Sequence, residues 1–234
     1  MAFDTTRQRV VSFGGFGSAS LDDPWEWDGT NWSEALPTTR PGPSYAPGIA
    51  WDGVRQRIVL VTGTGTGPGP TETWEWDGTT WVLRMPAVSP PPRPEHQVAW
   101  DAARQRLVHY GGASTWLWDG TTWALHPQTS PPVRPKPTMA YDADQQQVVL
   151  FGGSFMTDMW SWNGASWLQR TPVTSPPQRL SQVMAYDATR RRLTLYDGMN
   201  TWRLPALKLQ AGSEGAPSAA GARSSRLESR APAG

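Results

Sequence analysis

The octapeptide Trp-Glu-Trp-Asp-Gly-Thr-x-Trp occurs at Trp25 to Trp32 and again at Trp74 to Trp81, with close copies at Trp116 to Trp123 and Trp160 to Trp167. In phase with it runs an Ala-aromatic-Asp tripeptide, ending at Asp4, Asp52, Asp101, Asp142 and Asp187, so that successive aspartates stand 48, 49, 41 and 45 residues apart. Self-similarity at a period of about 40 to 50 residues marks an array of supersecondary units, none of which buries its apolar face without a neighbour. The repeat therefore fixes the architecture before any other property of the chain is considered.

The third unit serves as template. Gln97 to Trp100 reads as a short strand, and Asp101 to Arg106 as a turn led by an aspartate whose side chain can cap it. Leu107 to Tyr110 reads as a second strand, ended at Gly111-Gly112, where positive φ and close backbone approach exclude bulkier residues. Thr115 to Trp118 gives a third strand, Asp119-Gly120 a hairpin signal, and Thr122 to Leu125 a fourth. The proline-rich segment His126 to Pro137 is barred from a sheet interior and serves as a surface connection. Four short strands per repeat, with no 3.6-period apolar runs, predict an all-β fold, a β-propeller of four-stranded antiparallel blades.

These units resemble kelch repeats, specifically the bacterial kelch-like propellers that share their fold with the central domain of galactose oxidase. The features that carry the resemblance are Val10 to Phe13 before Gly14-Gly15, Leu107 to Tyr110 before Gly111-Gly112, and Val148 to Phe151 before Gly152-Gly153. To these are added the aromatic pairs Trp25 with Trp32, Trp74 with Trp81, Trp116 with Trp123 and Trp160 with Trp167. Two units depart, with Thr62-Gly63 and Asp197-Gly198 at the double-glycine position. The resemblance implies a fold and leaves function open, since kelch propellers serve as enzymes, adaptors and structural modules alike.

Read in this way, residues 1–210 form the propeller, with blades at about 1–48, 49–97, 98–138, 139–182 and 183–210. The expectation is four complete blades and a partial fifth, because Leu204 and Leu209 stand where that unit's second and third tryptophans belong. Residues 211–234, composed of Ala, Gly, Ser, Pro and Arg with almost no large apolar side chain, are expected to be disordered. Met1-Ala2-Phe3-Asp4 already aligns with Met139 to Asp142 and Met184 to Asp187, and no basic and apolar leader precedes it. The favoured expectation is that Met1 is internal to a longer secreted or envelope protein, the alternative being a cytoplasmic one.

Composition narrows the chemistry. A net charge of +1 supplies no footprint for nucleic acid, and no apolar run is long enough to span a bilayer. The absence of cysteine excludes disulfides, thiolate metal sites and the tyrosine–cysteine cofactor of a galactose-oxidase-like copper site. Three histidines, His96, His109 and His126, show no ligand spacing, so neither metal nor other cofactor is expected. The segment Gly63 to Gly69 lacks the lysine and following helix of a phosphate loop. The Asp-Gly-Thr-x-Trp hairpin resembles in part the Asp-box of sialidase propellers, a structural turn, without the arginine, tyrosine and carboxylate cluster that such catalysis needs.

Two features remain as binding candidates. Fifteen tryptophans invite sugar stacking, and Trp-Asp-Gly-x-x-Trp occurs in some bacterial propeller lectins. Yet burying one indole removes about 150 to 250 Å² from water, worth on the order of 4 to 6 kcal/mol, which favours a place between blades. Arg40, Arg93, Arg134 and Arg179 each follow a proline segment, three of them eight residues before the unit's aspartate. By symmetry they could ring one face and hold an anion or a partner's carboxylates, although bracing of the connections is the favoured role. The variable loops between second and third strands, Gly15 to Trp25, Gly63 to Trp74, Gly112 to Trp116 and Gly153 to Trp160, lie on that same side. The functional expectation is a non-catalytic kelch-like binding or scaffold module for an unidentified protein or glycan. A lectin using inter-blade Trp and Arg is the alternative, and a hydrolase or oxidase remnant a third reading.

Overall fold

The computed structural model describes residues 1–44, 46–62, 71–93, 96–153, 156–172, 175–179 and 182–204. The expected disordered tail, the Gly63 to Gly69 loop and Leu209 lie outside these residues. Nineteen strands form five antiparallel sheets among them. Blade 1 comprises β1 (Ala2–Asp4), β2 (Arg9–Phe16), β3 (Ser20–Trp27) and β4 (Trp32–Glu34); blade 2 comprises β5 (Gly48–Asp52), β6 (Arg57–Val61), β7 (Thr73–Trp76) and β8 (Trp81–Arg84). Blade 3 holds β9 (Gln97–Asp101), β10 (Arg106–Gly111), β11 (Ser114–Trp118) and β12 (Trp123–Leu125), and blade 4 holds β13 (Thr138–Asp142), β14 (Gln147–Phe151), β15 (Met159–Trp162) and β16 (Trp167–Arg170). Blade 5 has three strands, β17 (Val183–Asp187), β18 (Arg192–Tyr196) and β19 (Thr201–Arg203). The expectation of four blades and a fragment is thereby corrected. The fifth sheet is a blade in its own right, because Leu204 is buried with Met184, Leu193 and Leu195 in a shared apolar cluster against blade 4.

The repeated aspartates act as the sequence suggests. In every blade the carboxylate that ends the first strand accepts at least one backbone N–H of the following turn, as in Asp4 with Thr6 and Arg7 and Asp52 with Val54 and Arg55. The last turn residue, Gln8, Gln56, Gln105, Gln146 or Arg191, takes a positive φ between 50° and 56°. The Asp-Gly loops between third and fourth strands are longer than a two-residue turn. Asp119 caps the N–H groups of Thr121 and Thr122, and Trp118 pairs with Trp123 across a four-residue loop.

The core lies between blades. Trp74, Trp76 and Trp81 of blade 2 are buried against Val11 and Phe13 of blade 1. Trp116, Trp118 and Trp123 of blade 3 meet Ala50, Val59 and Val61 of blade 2, and Trp162 and Trp167 of blade 4 meet Val108 and Tyr110 of blade 3. Blades 2, 3 and 4 thus each lay the tryptophan face of their octapeptide on the preceding blade. Polar atoms set the register: Trp123 Nε1 donates to Thr73 Oγ1 at 2.9 Å, and Trp167 Nε1 to Thr115 Oγ1 at 2.8 Å. Blade 1 carries Pro24 in place of that threonine, and the Nε1 of Trp81 is left without a partner.

A second device spans three of the interfaces. Arg7, Arg55 and Arg104 each pair with the aspartate of their own turn and lie across the hairpin glycine of the next blade, Gly78, Gly120 and Gly164. The positive φ of Gly120 and Gly164 favours glycine there, and a Cβ at either position would fall within 2.1 Å of the arginine side chain and displace it.

One interface is chemically odd. His109 occupies the register position held by Leu60, Leu150 and Leu195 in other blades. It stacks on buried His96 at 4.9 Å, with its Nδ1 unpartnered. Burial lowers the pKa of both imidazoles, that of His109 further through the neighbouring His96; the Arg93 and Val61 carbonyls oppose the shift at His96, whose neutral ring donates from Nδ1 to the Arg93 carbonyl and accepts the Gly48 N–H at Nε2. The unfolded chain therefore takes up protons first, so stability is full above about pH 6.5 and falls below it, by up to about 1.4 kcal/mol per pH unit for each histidine. Urea unfolding at pH 7 and pH 5 should reveal this slope, and His109→Leu should roughly halve it. An unchanged slope in the variant would remove His109 from the account.

Candidate functional site

The first strands of the blades lie side by side about the propeller axis, and there they border a half-open cavity of about 610 Å³. Its wall is built from one column of the repeat. Gly48, Gln97, Thr138 and Val183 stand four residues before each unit's aspartate, and Ile49, Val98, Met139 and Met184 stand three before it. Met1 holds the second column's place in blade 1, and Thr194, Tyr196 and Thr201 complete the wall from blade 5. Because Gln97 pairs with Tyr110, the residue before Gly111, the column lies at the end of the blades from which the second-to-third-strand loops depart.

The lining is chemically distinctive. Among the described lining residues no side chain is charged, and Gln97, Thr138, Thr194, Tyr196 and Thr201 offer amide and hydroxyl groups among the apolar Ile49, Val98, Met139 and Met184. Such a wall can hold a neutral ligand with both hydroxyls and an apolar face. It supplies neither a pair of carboxylates for glycoside hydrolysis nor a cationic clamp for an anion. Among the described residues no group of three His, Asp or Glu side chains could hold a metal ion, and no helix is long and apolar enough to cross a membrane.

The four arginines do not meet around this cavity. Arg134 is buried, its Nη1 and Nη2 donating to Asp158 at 2.7 and 2.9 Å, its Nη1 also to the Gly152 carbonyl and its Nε to the Pro132 carbonyl. Arg93 is exposed and lies along Gly112. Arg179 stands 3.8 Å from Asp197, and Arg40 pairs at the surface with Asp22 at 3.2 Å. In the first connection the position eight residues before the aspartate belongs to Ser44, which is bonded through its backbone to Gly15 and Leu21. Burial opposes the charge on Asp158, but hydrogen bonds from Arg134 and Trp160 outweigh it and hold its carboxyl below the ordinary value.

The tryptophans divide sharply. Trp81, Trp118, Trp123 and Trp162 are sealed between blades, whereas Trp25 and Trp32 of blade 1 are exposed. Trp32 lies against Trp27 at 5.7 Å, and Asp23 accepts the Trp25 N–H at 2.6 Å. The cavity wall was legible only by reading the repeat as columns: its members are ordinary residues whose common trait is their offset from the aspartate.

No family model matches the chain, for kelch repeats or otherwise, and no curated protein matches it in sequence. Solved structures do match. The SapL1 lectin in complex with α-methyl fucoside superposes with a TM-score of 0.59 at 14% identity, over 84% of this chain and 72% of the lectin. A variant of the Aleuria aurantia lectin in complex with α-methyl-L-fucoside gives 0.55 at 12% identity, over 87% of this chain and 76% of that one. Identity so low speaks to the propeller fold alone.

Because four of the five N–H groups of the buried Arg134 guanidinium are engaged and Asp158 would lose its charged partner, Arg134→Ala should cost roughly 3 kcal/mol of stability. Arg40→Ala, which opens an exposed pair, should cost less than about 1 kcal/mol. Chemical denaturation of both variants checks the contrast; equal losses would mean that burial does not separate the two arginines.

Proposed function

We propose that the chain is a non-catalytic β-propeller that binds a neutral carbohydrate in the axial cavity. The observation that carries this reading is the wall itself: five uncharged polar side chains interspersed with apolar ones around about 610 Å³, with no carboxylate among the described lining residues. A saccharide matches such a surface because its hydroxyls exchange hydrogen bonds with amides and hydroxyls while its C–H faces pack on Ile49, Val98 and Met139. The two similar lectin structures, each in complex with an α-methyl fucoside, support the ligand class and suggest the first compound to try. The reading moves the proposed sugar contacts away from the inter-blade tryptophans and from Arg134, since the buried indoles are sealed between blades and Arg134 is engaged by Asp158. We assign the blades to the kelch type on the glycines that follow the second strands, with positive φ at Gly14, Gly15, Gly112, Gly152 and Gly153.

A panel of neutral and acidic glycans, followed by isothermal titration with α-methyl fucoside and the panel's neutral hits, tests this. Gln97→Ala and Thr138→Val should each weaken binding about fivefold, the worth of one hydrogen bond of about 1 kcal/mol. Exclusive binding of acidic glycans, or affinity indifferent to both substitutions, would overturn the proposal.

A further inference from the structure

Behind one stretch of the cavity wall lies a pair of ionisable groups that no other blade carries. Gly48, Gln97 and Val98 line the cavity there. His96 immediately precedes Gln97, and His109 is the strand partner of Val98. The two imidazoles are 2% and 1% exposed and stack 4.9 Å apart, with Trp123 packed edge-on to His109 at 5.9 Å. His96 also ties two blades together. Its Nδ1 donates to the Arg93 carbonyl at 3.1 Å, and its Nε2 accepts the Gly48 N–H at 3.1 Å. The Val61 carbonyl stands 3.0 Å from that same Nε2, and Val61 is the strand partner of Gly48. A Cβ on Gly48 would lie 3.0 Å from both His96 Nε2 and Val98 Cγ1, so the ring and the wall are in direct contact.

We infer that His96 is an acid-operated latch on the axial cavity: a second proton on its ring exchanges the Gly48 bond for one to Val61 and frees the wall at Gly48, Gln97 and Val98. The chemistry is a choice between two partners. In the neutral ring Nε2 is a bare acceptor and can hold the Gly48 N–H. In the imidazolium both nitrogens donate, so Nε2 repels that N–H and turns to the Val61 carbonyl already within reach. The Gly48 amide then loses its partner, and the first strand of blade 2 parts from the segment that enters blade 3. His109, held lower still by its burial and by the neighbouring ring, stays neutral. Among the described residues no other charge intervenes. Asp52, Arg57, Asp101 and Arg106 stand at the far ends of their strands, Glu75 is paired with Arg84, and Glu72 accepts the Trp74 indole N–H. Arg93 is exposed along Gly112. Burial holds the latched ring below the ordinary histidine value, whereas in the parted wall water reaches the ring and a value of about 6.5 returns. The open form therefore binds the proton first, so opening gains up to about tenfold for each pH unit below about 6.5 and is suppressed above it. That the latch releases a sugar rests on the ligand reading above; the latch itself does not.

Amide hydrogen exchange, resolved by NMR on the intact chain, tests the latch without a ligand. The reference is β13 of blade 4, where Pro137 and Leu150 hold the places of His96 and His109. Relative to β13 amides, exchange at Gly48 should rise about tenfold between pH 7.5 and pH 5.5. His96→Gln should abolish that rise, and the fold accepts an amide there, since blade 5 carries buried Gln182 at this place. Should circular dichroism show the variant unfolded, the ring resonances of His96 in the unmodified chain decide, because their titration midpoint must coincide with that of the Gly48 amide shift. Isothermal titration with the neutral glycan that binds best at pH 7.5 should give roughly threefold weaker affinity at pH 5.5, and no such change in His96→Gln. Parallel changes at Gly48 and β13, a variant that keeps the rise, or midpoints that disagree would overturn the latch. Affinity unmoved by pH while Gly48 opens would overturn its control of the sugar. A panel without any neutral binder would instead overturn the ligand reading, with the latch still decided by the exchange measurement.

Discussion

Every blade depends on its neighbour to take its tryptophans out of water. A four-stranded sheet of this size cannot bury indoles on its own, and each of the enclosed faces does so by lying on the second strand of the blade before it. The apolar term sets the magnitude, because an indole is the largest side chain available and burying two or three in each of blades 2, 3 and 4 far outweighs any hydrogen bond at the same interface. The polar terms set the register. A threonine hydroxyl receives the outer indole N–H, and an arginine crosses a hairpin glycine of the next blade. Where Pro24 removes the hydroxyl, Trp81 stays buried with its N–H unpartnered, which indicates that packing dominates and the hydrogen bond refines.

The same division of labour explains why the axis and the interfaces differ in chemistry. Inter-blade space is filled by side chains that already have partners, so little is left there for a ligand. At the axis the first strands meet at an angle, and the residues four and three positions before each aspartate face a space that no blade fills. The arginines at the connections serve the scaffold in varied ways: Arg134 is locked by Asp158 and the Gly152 carbonyl, while Arg40 reaches only a surface carboxylate. Their sequence periodicity signalled a shared position along the chain and concealed the difference in partners. Asp158 stands two residues before Trp160, as Asp23 and Glu72 stand before Trp25 and Trp74, and each accepts that indole N–H; the spacing marks this local bond and not the pairing with Arg134.

Much of the architecture was legible because it is written in residues whose physical role is local. Asp101 caps its own turn, Gly112 adopts a positive φ that its sequence neighbourhood requires, and the alternation of Trp116 and Trp118 puts both indoles on one face of one strand. Misjudgements arose where the outcome depended on residues distant in sequence. The fifth blade looked partial because its tryptophans give way to Leu204, yet Leu204 with Leu193 and Leu195 suffices when Phe151 and Met159 of blade 4 supply the other half of the cluster. His109 gave no signal beyond its apolar neighbours, and only the stacking on His96 identifies it as an ionisable group in a position that elsewhere holds leucine.

By itself the sequence determined the repeat, the strands, their capped turns and the propeller that stacking them produces, because each follows from dihedral preference, side-chain alternation and the need to bury tryptophan within a span of about 45 residues. The tertiary structure alone decided which indoles are covered and which face outward, which arginines are consumed by carboxylates, and which residues of the repeat line the axis. Those outcomes depend on where the faces of successive blades meet: the octapeptide at Trp74 to Trp81 is sealed against Val11 and Phe13, whereas Trp25 and Trp32 of the same octapeptide in blade 1 face outward.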